Sequence, residues 1–166
     1  MMKKPDDALE LLDADHRAMK SLFDEFRQLS AHRAAGSRRR AVAEQICLEL
    51  TIHTRLEDEI FYPRVRDAIR DDDLLDEAEV EHAGAKELIA QILSMKAEDE
   101  LYDAKVTVLG EYVDHHVKEE REEMFPKVRR SGIDLAGLGE RLRVRKQELQ
   151  AVPEALREDA LASVSA

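Results

Sequence analysis

Apolar side chains recur at alternating spacings of three and four along four stretches of this chain, the pattern of helices that bury one stripe. The first stripe runs Leu9, Leu12, His16, Met19, Phe23, Phe26, and the second Val42, Ile46, Leu50, His53, Glu57, Ile60. The third reads Leu75, Ala78, His82, Ala85, Ile89, Ile92, and the fourth Val106, Leu109, Val113, His116, Glu120, Met124. Polar or turn-forming stretches separate them at Ala34 to Ser37, Arg70 to Asp73 and Ala97 to Glu100. Runs with period-two alternation do not occur, so strands are not expected. The expected fold is all-α, an antiparallel up-down-up-down four-helix bundle.

Ser131 and Gly132 are set to stop the fourth helix, and Asp134 to cap a shorter one through about Gln150. Its Leu135, Leu138, Leu142 and Leu149 predict that it lies on the bundle. From Pro153 the residues are small and charged, and a partly frayed tail is expected. Two parts follow: residues 1–131 as the bundle, and 132–166 as a short additional C-terminal helix with a flexible tail.

Each apolar stripe is interrupted by histidine, and two of them by glutamate as well. Seam positions make up roughly two in seven of a helix. Four histidines falling there independently has a chance of roughly one in a hundred and fifty by the same proportion. The interior of the bundle therefore reads as four imidazoles and two carboxylates, which without a partner would each cost about 1 to 3 kcal/mol of desolvation. A bound metal would turn that penalty into stability.

The chain also repeats itself. His53 is followed by Glu57 and Pro63, and His116 by Glu120 and Pro126 at the same offsets, with Ile60-Phe61-Tyr62-Pro63 matching Glu123-Met124-Phe125-Pro126. His16 and His82 precede these pairs by similar distances, so each half is one histidine helix and one His-x-x-x-Glu helix. Residues four apart on a helix stand one above the other, so each pair can reach the same or adjacent ions. The candidate metal ligands are His16, His53, Glu57, His82, His116 and Glu120.

Histidine with carboxylate and no thiolate suits iron, manganese or zinc. If each carboxylate bridges, two ions share the set and keep positions open for water or a small ligand. A ferritin-like Glu-x-x-His pattern occurs once, at Glu79 and His82, with Asp13 and His16 as a near relative, which makes Glu79 and Asp13 candidates for a supporting shell. His115 with Glu119 repeats the spacing of His116 with Glu120, but seam phase and the offset to Pro126 favour the second pair. His115 is left for ligand orientation or proton movement. Tyr62 and Tyr112 can lie near the site, Tyr112 one turn before His116, but packing is their expected role, and solvation that of His32.

The 166 residues carry a net charge of -11, which argues against nucleic acid or an anionic membrane as partner. No stretch approaches the roughly 20 apolar residues that span a bilayer, and Met1 to Glu10 lacks the apolar run of a secretory leader. A cytoplasmic protein, monomeric or homodimeric, is expected. The single Cys47 allows neither an internal disulfide nor a thiolate cluster within one chain.

These residues together resemble the hemerythrin-like family, the HHE cation-binding domain. The resemblance spans roughly residues 6 to 130 and rests on Leu-Asp-Ala-Asp-His16, His53-Thr-Arg-Leu-Glu57 with Phe61 and Pro63, Glu81-His82, and His116-Val-Lys-Glu-Glu120 with Phe125-Pro126. It implies an oxo- or hydroxo-bridged di-iron centre that meets O2, peroxide or NO. Oxygen-carrying hemerythrins place a further histidine one turn after the third-helix histidine, where this chain has Lys86. The resemblance therefore implies a four-His, two-Glu centre rather than a reversible oxygen carrier. Three roles stay open from sequence: binding or sensing such a ligand, consuming peroxide or NO as an enzyme, and storing or delivering iron.

Overall fold

The computed structural model describes residues 6–162, and every element among them is helical. Helix α1 (Ala8–Ala31) begins at Asp7, whose carboxylate accepts from the Glu10 amide while the Glu10 side chain accepts from the Asp7 amide. This reciprocal cap satisfies two amide donors that the first turn leaves free. Helix α2 (Gly36–Leu56) passes into a π turn, π1 (Glu57–Phe61), and on into α3 (Tyr62–Ile69). Helix α4 (Asp72–Ser94) follows, capped by Asp71. The second half repeats the first: α5 (Tyr102–Glu119), π2 (Glu120–Met124) and α6 (Phe125–Ser131).

The two π turns were not expected, and they change which side chains face inward. Pro63 and Pro126 cannot donate to the carbonyl four residues back, and in an α-helix their rings would strike it. The chain instead widens by one residue, so that Tyr62 N–H reaches Glu57 O and Phe125 N–H reaches Glu120 O. Ile60, expected in the core, is only half-buried; Phe61 is fully enclosed in its place, with Tyr62 beside it. In an uninterrupted α-helix, Tyr62 would stand about 140° round the axis from Glu57.

Gly132, at φ 75°, ends α6 in the left-handed region that suits glycine. Helix α7 (Leu135–Gln150) starts at Asp134, whose side chain accepts from Gly137 N–H, as expected. It lies across α1 and α2. Gly139 permits the crossing, because a Cβ there would come within 2.9 Å of the α1 backbone at Ala8. The segment expected to fray is instead a second C-terminal helix, α8 (Pro153–Ala162), packed on α2 and α4. Leu156, 2% exposed, anchors it, with Arg55 to Asp159 at 3.0 Å and Arg157 to the Leu93 carbonyl at 3.3 Å. Expectations for residues 1–5 and for the end of the tail beyond Ala162 lie outside the described residues.

The interior holds two apolar clusters. One gathers Leu9, Leu12, Leu56, Phe61, Leu75 and Phe125 with the α7 leucines; the other gathers Met19, Phe26, Ile46, Ile89, Tyr102 and Leu109. The histidines and glutamates lie between them along each helix. No described helix is long and apolar enough to cross a membrane.

Candidate metal centre

All six sequence-selected residues meet at one place. His16 on α1, His53 on α2 and His82 on α4 are at most 5% exposed, and Glu57 and Glu120 at the heads of π1 and π2 at most 1%. His116 on α5 is slightly more open. Every imidazole turns Nε2 inward. His53 Nε2 lies 3.1 Å and His82 Nε2 3.3 Å from Glu57 Oε1, His116 Nε2 2.5 Å from Glu120 Oε1, and His16 Nε2 3.9 Å from Glu120 Oε2.

The inward direction is fixed from behind, because each Nδ1 faces a carboxylate. Asp13 stands 3.4 Å from His16, Asp15 3.1 Å from His53, Asp58 2.8 Å from His82, and Glu81 3.1 Å from His116. A carboxylate that accepts from Nδ1–H orients the ring and leaves Nε2 for a metal. Sequence reasoning found only Asp13, three residues from its histidine on the same helix. Glu79, chosen with it, is exposed and takes no such position; Glu81 does. His115 is also exposed, pairs with Glu119 at 3.3 Å, and does not join the centre.

The electrostatics are those of a site short of cations. Burial opposes charge on His53, yet Glu57 and Asp15 outweigh it and carry its pKa up to about 10. His82 and His116 are likewise raised against burial, by Asp58 with Glu57 and by Glu120 respectively. Burial, together with the charge of His53, lowers His16 to about 4. Burial would raise Glu57, but the histidines around it hold it well below the usual carboxylate range. Burial and the neighbouring Glu57 push Glu120 up to about 7.

Tyr62, for which packing was the favoured expectation, joins the centre. Its Oη lies 3.0 Å from His116 Nε2 and 3.3 Å from His82 Nε2, and donates to Glu120 Oε1 at 3.1 Å. Burial and the two glutamates raise its pKa well above normal, so it stays a neutral hydroxyl. Phe125 is its counterpart in the second half, five residues after Glu120 as Tyr62 is after Glu57, and it stacks on His16 at 6.1 Å. One hydroxyl thus breaks the internal symmetry. The available signal was Pro63, since the π turn it forces is what swings Tyr62 inward.

The donor set divides into two quartets, His16, His53, Glu57, Glu120 and Glu57, His82, His116, Glu120, within each of which the ligand atoms lie within 4.8 Å of one another. Both share the two glutamates. The fit to metal can be tested on hydrogen bonding. Close as they are, His16 Nε2, His53 Nε2, both Glu57 oxygens and Glu120 Oε2 are buried without an aligned hydrogen bond. Buried polar atoms are rarely left so, and these five all face the centre, so the residues suit cations bound by nitrogen and oxygen. Cys47 is buried, with burial raising its thiol to about 12, and offers no thiolate.

A helical bundle that aims four imidazoles and two carboxylates at one enclosed point is a metal-binding protein by class. The model of the hemerythrin HHE cation binding domain matches residues 7–128, and the chain belongs to that family. A crystal structure of a hemerythrin HHE cation binding domain-containing protein from Mycobacterium kansasii aligns with TM-score 0.76 at 22% identity, covering 94% of this chain and 99% of that one. At that identity the likeness speaks for the fold alone. No protein of curated function matches the chain.

Proposed function

We propose that this protein holds two iron ions through His16, His53, Glu57, His82, His116 and Glu120, and binds or senses O2, peroxide or NO there. The observation that carries the reading is the set of five buried donor atoms without an aligned hydrogen bond, in two quartets joined by Glu57 and Glu120. Manganese or zinc would satisfy the same donors. Bound iron would supply open coordination positions and paired one-electron chemistry.

The chain's own residues favour a small ligand without charge. A cavity of about 20 Å³ reaches His53, His82 and His116 between Met19, Leu50, Ala85, Val113 and Val117, with Tyr112 at its edge. That is room for roughly one water-sized molecule, and its apolar wall disfavours an ion. Asp13, Asp15, Asp58 and Glu81 hold the rings in place, and the Tyr62 hydroxyl holds a proton beside Glu120. That proton supports a second reading, an enzyme that disproportionates peroxide or reduces NO. Iron storage or delivery is an outcome of the same test.

The reading includes an antiparallel up-down-up-down bundle over residues 1–131, covered by 132–166, in a cytoplasmic protein that is monomeric or homodimeric. Metal analysis of the purified protein, followed by ultraviolet-visible spectra after anaerobic reduction and exposure to O2, peroxide or NO, tests it. Two irons per chain and a ligand-dependent spectral change are expected, both lost in His116→Ala. Sustained peroxide or NO consumption would favour the enzyme, and iron stripped within minutes by a mild chelator would favour storage. No metal after anaerobic iron loading would overturn the proposal.

A further inference from the structure

Of the four carboxylates behind the histidines, Asp15 is the most deeply buried: its side chain is 10% exposed, against 26 to 30% for the other three. A carboxylate so far from water needs a cation against it. Asp58 receives its cation from within the bundle, where Lys86 Nζ lies 2.8 Å from Oδ2. Asp13 has Arg121 at 3.4 Å. Asp15 takes its cation from outside the family-matched region. Lys146, on α7, places Nζ 2.5 Å from Asp15 Oδ1, while Oδ2 of the same carboxylate faces His53 Nδ1 at 3.1 Å.

We propose that Lys146 is a positioning residue for His53, acting through Asp15, and that it makes α7 a working part of the metal centre. The inference rests on the metal-binding reading above. Geometry supports the coupling at three places. Lys146 reaches Asp15 on α1. The adjacent Arg145 grips both oxygens of Glu59 on π1, at 2.8 and 3.2 Å, two residues beyond Glu57. Gly139 sets α7 close against the start of α1. A cation that fixes the carboxylate fixes the ring behind which it stands, and by reciprocity a metal that fixes the ring strengthens the docking of α7.

The test compares Lys146→Met, Lys146→Arg and, as a control on the same helix, Arg143→Met, whose partner Glu140 lies away from the centre. Two readouts are taken on the full chain: loss of iron to a ferrous chelator, and amide hydrogen exchange in α7 with and without iron. Partners behind a metal ligand are worth about 10 to 100-fold in affinity. Lys146→Met, one step behind such a partner, should lose iron faster by up to that factor, Lys146→Arg should restore most of the retention, and Arg143→Met should match the wild type. Iron should slow exchange in α7 of the wild type and of Arg143→Met, but not of Lys146→Met. Wild-type retention in a folded Lys146→Met, or α7 exchange indifferent to iron in the wild type, would overturn the inference and leave the metal centre standing. A wild type that takes up no iron would overturn both.

Discussion

Replacing Glu120 by glutamine should stabilise the metal-free protein and impair the metal-loaded one. The glutamine keeps the shape of the side chain and a carbonyl that can accept from Tyr62 Oη, but carries no charge beside Glu57. Burial and that neighbour raise the Glu120 carboxyl from 4.5 to about 7. At about 1.4 kcal/mol per unit, ionising this carboxyl costs about 3.5 kcal/mol more in the folded chain than in the unfolded one. An acid whose folded pKa lies above its unfolded value favours the folded state fully below pH 4.5. That advantage is lost as pH rises through about 7. Glutamine mimics the neutral acid at every pH, so its benefit is absent below pH 4.5 and complete by about pH 8. For a chain of this length, 1 kcal/mol moves Tm by about 2 to 4 °C, so the upper limit is a rise of about 7 to 14 °C. With metal the sign reverses, because both quartets lose a shared donor. Thermal unfolding of metal-free and iron-loaded forms at pH 4.5 and 8 measures both effects. A metal-free variant that melts below the wild type at pH 8, or gains as much at pH 4.5, would refute the account of a strained, cation-starved pair.

His116→Ala should abolish retention of metal while His115→Ala leaves its content unchanged, since the His115 side chain is 66% exposed and belongs to neither quartet; metal analysis of the two variants decides between the overlapping registers. Iron loading at pH 7.5 should release protons, because the pKa of His53 stands near 10 in the metal-free protein and the ring must become neutral to ligate. Acidification of a weakly buffered solution on iron addition would register it, and an unchanged pH would count against His53 as a ligand.

Much of the candidate centre was legible because the six residues that meet there lie on the periodic stripes that build the helices. His53 and Glu57, or His116 and Glu120, are related by one turn, and one turn can be counted along a sequence. Their support cannot be counted in that way. Asp15, Asp58 and Glu81 serve histidines 38, 24 and 35 positions away, on other helices. Only the packed fold selects them from the chain's 37 acidic residues. The i, i+3 rule that found Asp13 also chose Glu79, which faces solvent. Pro63 and Pro126 marked the π turns in plain view, but as matching offsets they showed only that the halves are related. Their physical effect, one extra residue in the turn, moves Tyr62 from packing to the centre. Helix α8 was hidden because one buried leucine amid Glu154, Arg157, Glu158 and Asp159 makes no stripe.

The two apolar clusters share no buried residue; α1, α2 and α4 enter both, and the fourth helix passes from one to the other as α5 runs through π2 into α6. Hydrophobic contact alone therefore does not weld the molecule together; a polar belt sits where the weld should be. Blocks joined by a weak seam open separately, whereas blocks tied by strong bonds open together. If the proposed ions bind, all four histidine-bearing helices would close that seam from inside, and occupancy of the centre would decide whether the protein responds to stress as one cooperative unit or as two.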